Sequence, residues 1–383
     1  MLHNKQRSLT GKRGLSAMLV LLLSLAVVMS ACGKKTVDVT KAPASDQGTV
    51  VAEYKDGKVT DKEFDRYISF FSIVNSSAEA YLAVEGVKEQ FLREYIGYKI
   101  LYSRADDKAK EAAADDVETF VKQFEDAAKS DTDMKAKMDK SGLTNDDAEW
   151  FYRMIITVMD HSEQSVKDEE IKAVYDKTPT DFNNVTLRHI LIGFTDPSTG
   201  EEKMKKEDAL KKAKEVKAEL EKGGDWTELA KKYSDDEGSK DNGGLYEDQE
   251  PRVWVEAFKN AANTQEVGKI GDPVETEYGY HVIKVEKRET RTWEQVPDAT
   301  KDELRQSIST NNLNTFMSDE LPDLITKIDL PKEDTTDTTG GSTDTNKDSG
   351  QADTGTDTGT DTGTDTGTST DTNAEKKEES STK

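Results

Sequence analysis

Two runs, VTLRHILIGF at residues 185–194 and YGYHVIKVE at 278–286, interrupt a chain otherwise patterned for helices and turns. Each is rich in β-branched and aromatic residues and bounded by turn formers, which predicts a strand. Between them, Leu210, Ala213, Val216 and Leu220 mark one side of a lysine-rich helix that Gly223-Gly224 stops. Asp225 and Glu228 open a second helix, DWTELAKKY, followed by the loop SDDEGSKDNGG and a short helix, VWVEAFKNA. Residues 183–289 thus read as an α+β unit of about a hundred residues. In a strand, alternate residues share a face, so Val185, Leu187, His189 and Leu191 point one way. His281, Ile283 and Val285 do the same in the second run, and if the two strands are neighbours the imidazoles meet. Read alone, a histidine in either position is a satisfied structural residue; together they can fix each other's tautomer.

The flanks are helical. Val50, Val51 and Tyr54, the turn Asp56-Gly57 and then Val59 predict a short hairpin. Thr60 with Glu63 is a capping-box pair, and Phe64, Tyr67, Ile68 and Phe71 follow at helical spacing. Further helical stretches run over about 84–109, 115–128 and 145–165, the last with a stripe of Trp150, Phe151, Met154, Ile155 and Val158. Residues 290–331 return to helix, with Asp298 or Thr300 as cap and Leu304, Ile308 and Leu313 on one side. They hold too few apolar residues for a domain of their own, so they are expected to pack on the helical segment 49–182. The α+β unit is then an insertion in a mainly helical body.

The two ends of the chain differ from the middle. Lys5, Arg7, Lys12 and Arg13 precede the apolar run 15–28, the pattern of an export signal, and that run is shorter than the ~20 residues of a comfortable membrane span. Cys32, the single cysteine, follows in MSACGKK, which resembles a bacterial lipobox. The resemblance implies removal of residues 1–31 and lipid on Cys32, with 32–48 as a polar tether. With no second cysteine there is no disulfide, and stability rests on packing. From 332 to 383 the unit Asp-Thr-Gly-Thr recurs from Asp353, Asp357, Asp361 and Asp365, and such a tail buries too little apolar surface to offset ordering. The net charge of −24 leaves no basic stripe for phosphates and argues against nucleic acid.

No H-x-x-x-H spacing supports a metal site, no Gly-rich phosphate loop follows a strand, and no Ser-His-Asp order stands out, so no cofactor is expected. The order of motifs is more specific. H-I-L-I, two helices, Y-S-D-D, a Gly-rich loop, a short aromatic helix and G-D-P-V-x-T-x-Y-G-Y-H-V-I-K resemble the parvulin family of peptidyl-prolyl isomerases over 185–288. With a lipobox ahead and helical flanks, the chain resembles an extracytoplasmic foldase lipoprotein of the PrsA type. The stretch VVAEYKDGKVTDKEFDRYI is similar to SurA-like chaperones.

The resemblance implies a parvulin-like domain, a small antiparallel sheet with surrounding helices, and it implies roles by position. His189 and His281 match the paired histidines at the floor of the active site, Asp236 the cysteine or aspartate, and Thr276 the hydroxyl beside the pair. Leu245, Trp254 and Phe258 fall where the family builds its apolar proline pocket, with Tyr278 beside it. The loop Gly243-Gly244-Leu245-Tyr246 reads as one residue short of the family's G-G-D-L-G, and Trp254 stands where a smaller residue is common. The implied reaction is rotation about X–Pro bonds, with a barrier of ~18–20 kcal/mol, a step slow enough to limit folding. It needs no nucleophile or metal, only tighter binding of the twisted amide than of either planar isomer. The expected clients are unfolded, newly exported, proline-containing polypeptides, met at the outer face of a cell membrane, as in a Gram-positive bacterium. The resemblance is compatible with a homodimer through the helical body, for which the sequence has no signature of its own. A holdase with a weak isomerase unit, favoured by the loop and Trp254, and a structural or adhesive surface lipoprotein, favoured by the tail, are the alternative readings.

Overall fold

The computed structural model describes residues 47–331 apart from 76, 83, 85, 197 and 198; the leader, Cys32, most of the tether and the tail lie outside the described residues. Strands β1 (Val50–Tyr54) and β2 (Gly57–Thr60) form the expected hairpin. Helices α1 (Asp61–Val74), α2 (Ala78–Leu82), α3 (Val87–Arg104), α4 (Asp107–Ala112), α5 (Ala114–Ser130), α6 (Thr132–Ser141), α7 (Asn145–Ser165) and α8 (Asp168–Lys177) follow. Among the described residues, no helix is long and apolar enough to cross a membrane.

The capping pair at α1 forms by half. Thr60 Oγ1 accepts from the Glu63 amide at 3.2 Å. The Glu63 carboxylate instead accepts from Tyr95 Oη at 2.6 Å and Lys99 Nζ at 2.5 Å, tying α1 to α3. Behind it, Tyr67 stacks on Tyr95 at 4.3 Å and meets Phe151 of α7 edge-on at 5.3 Å. Burial of such rings, at roughly 25 cal/mol per Å² of apolar surface, is the main force holding these helices together.

The α+β unit comprises β3 (Asn184–Gly193), α9 (Lys206–Glu221), α10 (Trp226–Tyr233), β4 (Leu245–Gln249), α11 (Glu256–Thr264), β5 (Val274–Glu275) and β6 (Gly279–Glu289). Its sheet runs β4-β3-β6-β5, antiparallel at every pairing. One face packs Ile190, Ile192 and Val282 on Ala213, Val216 and Leu229 of α9 and α10. The other packs Val185, Leu187, Ile283 and Val285 on Phe258, Ala261 and Ala262 of α11. Val253 and Trp254, expected within the short helix, precede it: a 3-10 turn at Pro251–Val253 leads into an extended Trp254.

The chain then returns to the helical body. Helix α12 (Asp298–Thr315) runs through a π-helical stretch, Phe316–Glu320, into α13 (Leu321–Leu324). Leu313, Phe316 and Leu321 join the core formed by α1, α3, α5 and α7, and Ser309 Oγ donates to Ser162 Oγ of α7 at 2.9 Å. Two expectations for this segment change. Residues Ile325–Ile328 form a strand, β7, antiparallel to β1, which converts the hairpin into a three-stranded sheet. Neither Asp298 nor Thr300 is the cap, since Pro297 holds that position and the Thr300 hydroxyl serves Glu250 instead. The α+β unit is therefore spliced into a helical body whose two halves close through β1–β7 and α7–α12.

Candidate active site

Antiparallel register sets Leu191 opposite His281 and His189 opposite Ile283, so both imidazoles lie on one face of adjoining strands. Their rings stack at 5.4 Å and the Nδ1 atoms are 3.3 Å apart. Both side chains are at most 1% exposed, so each ring nitrogen needs a protein partner. His189 Nε2 faces Asp236 Oδ2 at 2.9 Å and Ser239 Oγ at 3.2 Å. His281 Nε2 faces Thr276 Oγ1 at 2.9 Å.

The segment after α10 delivers Asp236 by sewing itself to β3. The Asp235 amide donates to the Leu191 carbonyl at 2.9 Å, and the Asp235 carboxylate accepts from the Gly193 amide at 2.9 Å. Ser234 Oγ accepts from the amides of Leu191 and Asp236 at 3.2 and 3.3 Å. Asp236 Oδ2 then accepts from His189, from the Ser239 hydroxyl and, at 2.8 Å, from Tyr246 Oη. The Gly-rich loop that carries Tyr246 must press close to β3. Gly244 has φ +70°, its carbonyl accepts from the His189 amide at 2.9 Å, and a Cβ there would stand 1.9 Å from the His189 carbonyl oxygen. Only glycine fits that approach.

Electrostatics give the network a direction. Burial opposes charge on Asp236, but the hydrogen bonds from His189, Ser239 and Tyr246 win and hold its carboxyl well below the usual range. Burial, then the negative charge of Asp236, push the Tyr246 phenol above its ordinary value, so it stays a donor. Burial, reinforced by the neighbouring His189, keeps His281 neutral down to well below the normal histidine range. An ionised Asp236 requires a proton on His189 Nε2. His189 Nδ1 faces His281 Nδ1, and His281 Nε2 faces Thr276 Oγ1. A hydrogen-bonded chain thus runs from Thr276 through both imidazoles to Asp236, with the Tyr278 amide donating to Thr276 Oγ1 at 3.2 Å.

Aromatic faces wall the network. Phe258 meets His189 and His281 edge-on at 5.2 and 5.0 Å. Tyr246 stacks on His189 at 4.9 Å, and Trp254 lies parallel to Tyr246 at 6.0 Å and edge-on to Phe258 at 5.1 Å. Trp254 is buried, so it occupies this wall rather than opening it.

Leu245 is a correction. It pairs with Arg188, whose side chain leaves the opposite face of β3, whereas Tyr246 pairs with Leu187 and shares the face of His189. Tyr278 contributes backbone, its amide to Thr276 and its carbonyl to the Phe194 amide at 3.0 Å; its half-buried ring is in none of the ring pairs that build the wall. The sequence does not mark Ser239 or Tyr246 as site residues. A single hydroxyl in a polar loop carries no signal, and Tyr246 becomes visible only once the register of β4 is known. Among the described residues, no group of three or more His, Cys, Asp or Glu side chains is placed to hold a metal ion.

Residues 169–289 match the family model described as the PPIC-type PPIASE domain. The chain is 27% identical over 274 residues to the foldase protein PrsA of Geobacillus kaustophilus, covering 71% of this chain and 82% of that one. It is 43% identical over 98 residues to the foldase protein PrsA of a Geobacillus species, covering 25% of this chain and 36% of that one. Among solved structures, it is similar to a crystal structure of peptidylprolyl isomerase PrsA from Bacillus anthracis, at 23% identity and a TM-score of 0.39, over 59% of this chain and 95% of that one.

Proposed function

We propose that, as a parvulin-type foldase of the PrsA kind, this chain rotates X–Pro bonds of exported polypeptides at the Asp236–His189–His281–Thr276 network. The observation that carries this is a buried carboxylate, held ionised by three donors, beside a wall of aromatic rings. A planar amide carries partial negative charge on its carbonyl oxygen through resonance, and twisting removes it. A fixed negative charge near that oxygen raises the planar states relative to the twisted one, which is the differential binding a catalyst needs. Phe258, Trp254 and Tyr246 offer the apolar surface for the proline ring. The two histidines and Thr276 do not react; they keep Asp236 in place and in its charged form.

In this reading the segments 49–182 and 290–331 hold unfolded clients while 183–289 acts on them, and lipid on Cys32 keeps the chain at the outer face of the membrane. Homodimerisation belongs to the same proposal. The test is refolding of a proline-limited substrate by the mature chain beside a His189→Ala, Asp236→Ala double variant. Acceleration of the slow phase by the first and its loss in the second is the expected result. No acceleration, with aggregation still suppressed, would make the chain a holdase.

A further inference from the structure

The aromatic wall is fastened from outside the α+β unit. Glu250, between β4 and the turn that carries Trp254, is 9% exposed and accepts on both oxygens. Arg252 Nε reaches Oε2 at 2.6 Å, Arg291 Nη1 reaches Oε1 at 2.9 Å, and the Thr300 hydroxyl of α12 lies 3.0 and 3.2 Å from the two oxygens. Arg252 Nη2 continues to Glu303 of α12 at 2.6 Å. Helix α12 is itself held by Ser309 to α7 and by Arg305 to Asp168 of α8 at 2.9 Å. Three of the groups around Glu250, namely Arg291, Thr300 and Glu303, therefore lie beyond β6. Four residues before Glu250 stands Tyr246 and four residues after it stands Trp254, the parallel pair of the wall. Buried charge-assisted bonds of this kind fix geometry tightly, and removing this carboxylate leaves Arg252 with Glu303 as its remaining partner.

We propose that Glu250 is a positioning residue through which α12 of the helical body sets Trp254 and Tyr246, and so sets how tightly an X–Pro segment seats. The proposal rests on the reading of the wall as the proline-binding surface. It makes substrate affinity of the isomerase site depend on the state of α12, without any residue of α12 touching substrate.

The test uses the full chain labelled with 5-fluorotryptophan, in which the four resonances arise from Trp150, Trp226, Trp254 and Trp293 and Trp254→Phe assigns the one of interest. Glu250→Gln, Glu303→Gln and Thr300→Val are compared with the parent by fluorine NMR and by steady-state isomerisation of a proline peptide. Glu250→Gln is expected to shift or broaden the Trp254 resonance, leave Trp150 and Trp226 in place, and raise KM about three- to tenfold, the worth of one interior hydrogen bond, with kcat within about twofold. Glu303→Gln and Thr300→Val move the same observables less, and they decide the matter if Glu250→Gln does not fold. Unchanged Trp254 resonance and KM in the folded variants of an active parent would overturn the coupling. A parent without isomerase activity would sink the reading of the site instead, and the fluorine spectra would still show whether α12 governs Trp254.

Discussion

Asp236→Asn separates the charge of the carboxylate from its shape. Three donors converge on Asp236 Oδ2, from His189, Ser239 and Tyr246. A charge-assisted hydrogen bond contributes about 1.5–3 kcal/mol against about 1 for a neutral one, so losing the charge gives up roughly 2–4 kcal/mol. The side chain is only 6% exposed, and burial of an ionised carboxylate costs several kcal/mol that asparagine does not incur. The two effects oppose each other, and the expected net change in stability is within about 1.5 kcal/mol. Asp236→Ala is different: it strands the Nε2 proton of His189 and two hydroxyls, about 3–9 kcal/mol for the three buried donors together, and relief of the buried carboxylate returns only several kcal/mol of that, so it should cost about 2–4 kcal/mol net.

Activity should order the variants otherwise. Two unit charges 4 Å apart interact by about 4 kcal/mol at an effective dielectric of 20, and an amide moves only a fraction of a charge on twisting. That leaves about 1–2 kcal/mol of barrier lowering for the carboxylate, or roughly five- to thirtyfold in rate. Asparagine should therefore lose nearly as much kcat/KM as alanine while folding nearly as well as the parent. The assays are urea unfolding at neutral pH and protease-coupled isomerisation of a proline tetrapeptide. An asparagine variant with kcat/KM within about twofold of the parent would refute the electrostatic argument. One as unstable as alanine would refute the accounting of burial against hydrogen bonds.

Three further outcomes follow from the same geometry. Tyr246→Phe removes the 2.8 Å hydrogen bond to Asp236 but keeps the ring on His189, so it should cost about 1 kcal/mol in urea unfolding and lower kcat/KM several-fold. His281 is kept neutral by burial and by His189, so the unfolded chain binds more protons below about pH 6.5; stability from this group is full above that pH and falls below it, by at most about 1.4 kcal/mol per pH unit, and His281→Gln should flatten the slope between pH 5 and 6.5. Glu94, raised by burial to about 7 against a hydrogen bond from Gln90, has the opposite sign: its contribution is full below about pH 4.5 and is lost as pH rises through 7. Glu94→Gln should stabilise the chain by about 2 kcal/mol at pH 8 and change little at pH 4.5, as read by urea unfolding.

What the sequence disclosed was whatever local periodicity determines. The alternation that placed His189 with Leu187 and Leu191 is a property of any strand, and it needed only one assumption, that the two histidine runs adjoin, to bring the imidazoles together. What it concealed depends on partners far along the chain. Leu245 and Tyr246 are adjacent, and nothing local says which faces the histidines; the pairing of Tyr246 with Leu187 decides it, and a slip of one residue exchanges them. The strand Ile325–Ile328 is four residues long and follows directly on a helical turn; it is a strand because Tyr54 and Ala52 of β1 supply its ladder. Thr60 and Thr300 both looked like caps. Thr60 caps, its hydroxyl accepting from the Glu63 amide, whereas the Thr300 hydroxyl donates to the Glu250 carboxylate from inside a helix that begins with Asp298 after a proline. The same competition explains why Glu63 abandons its box for Tyr95 and Lys99. In each case a polar group followed the strongest unmet demand in the folded chain rather than its neighbour in sequence. That is also how Glu250, midway between Tyr246 and Trp254, came to be bonded to a helix residue fifty positions further on.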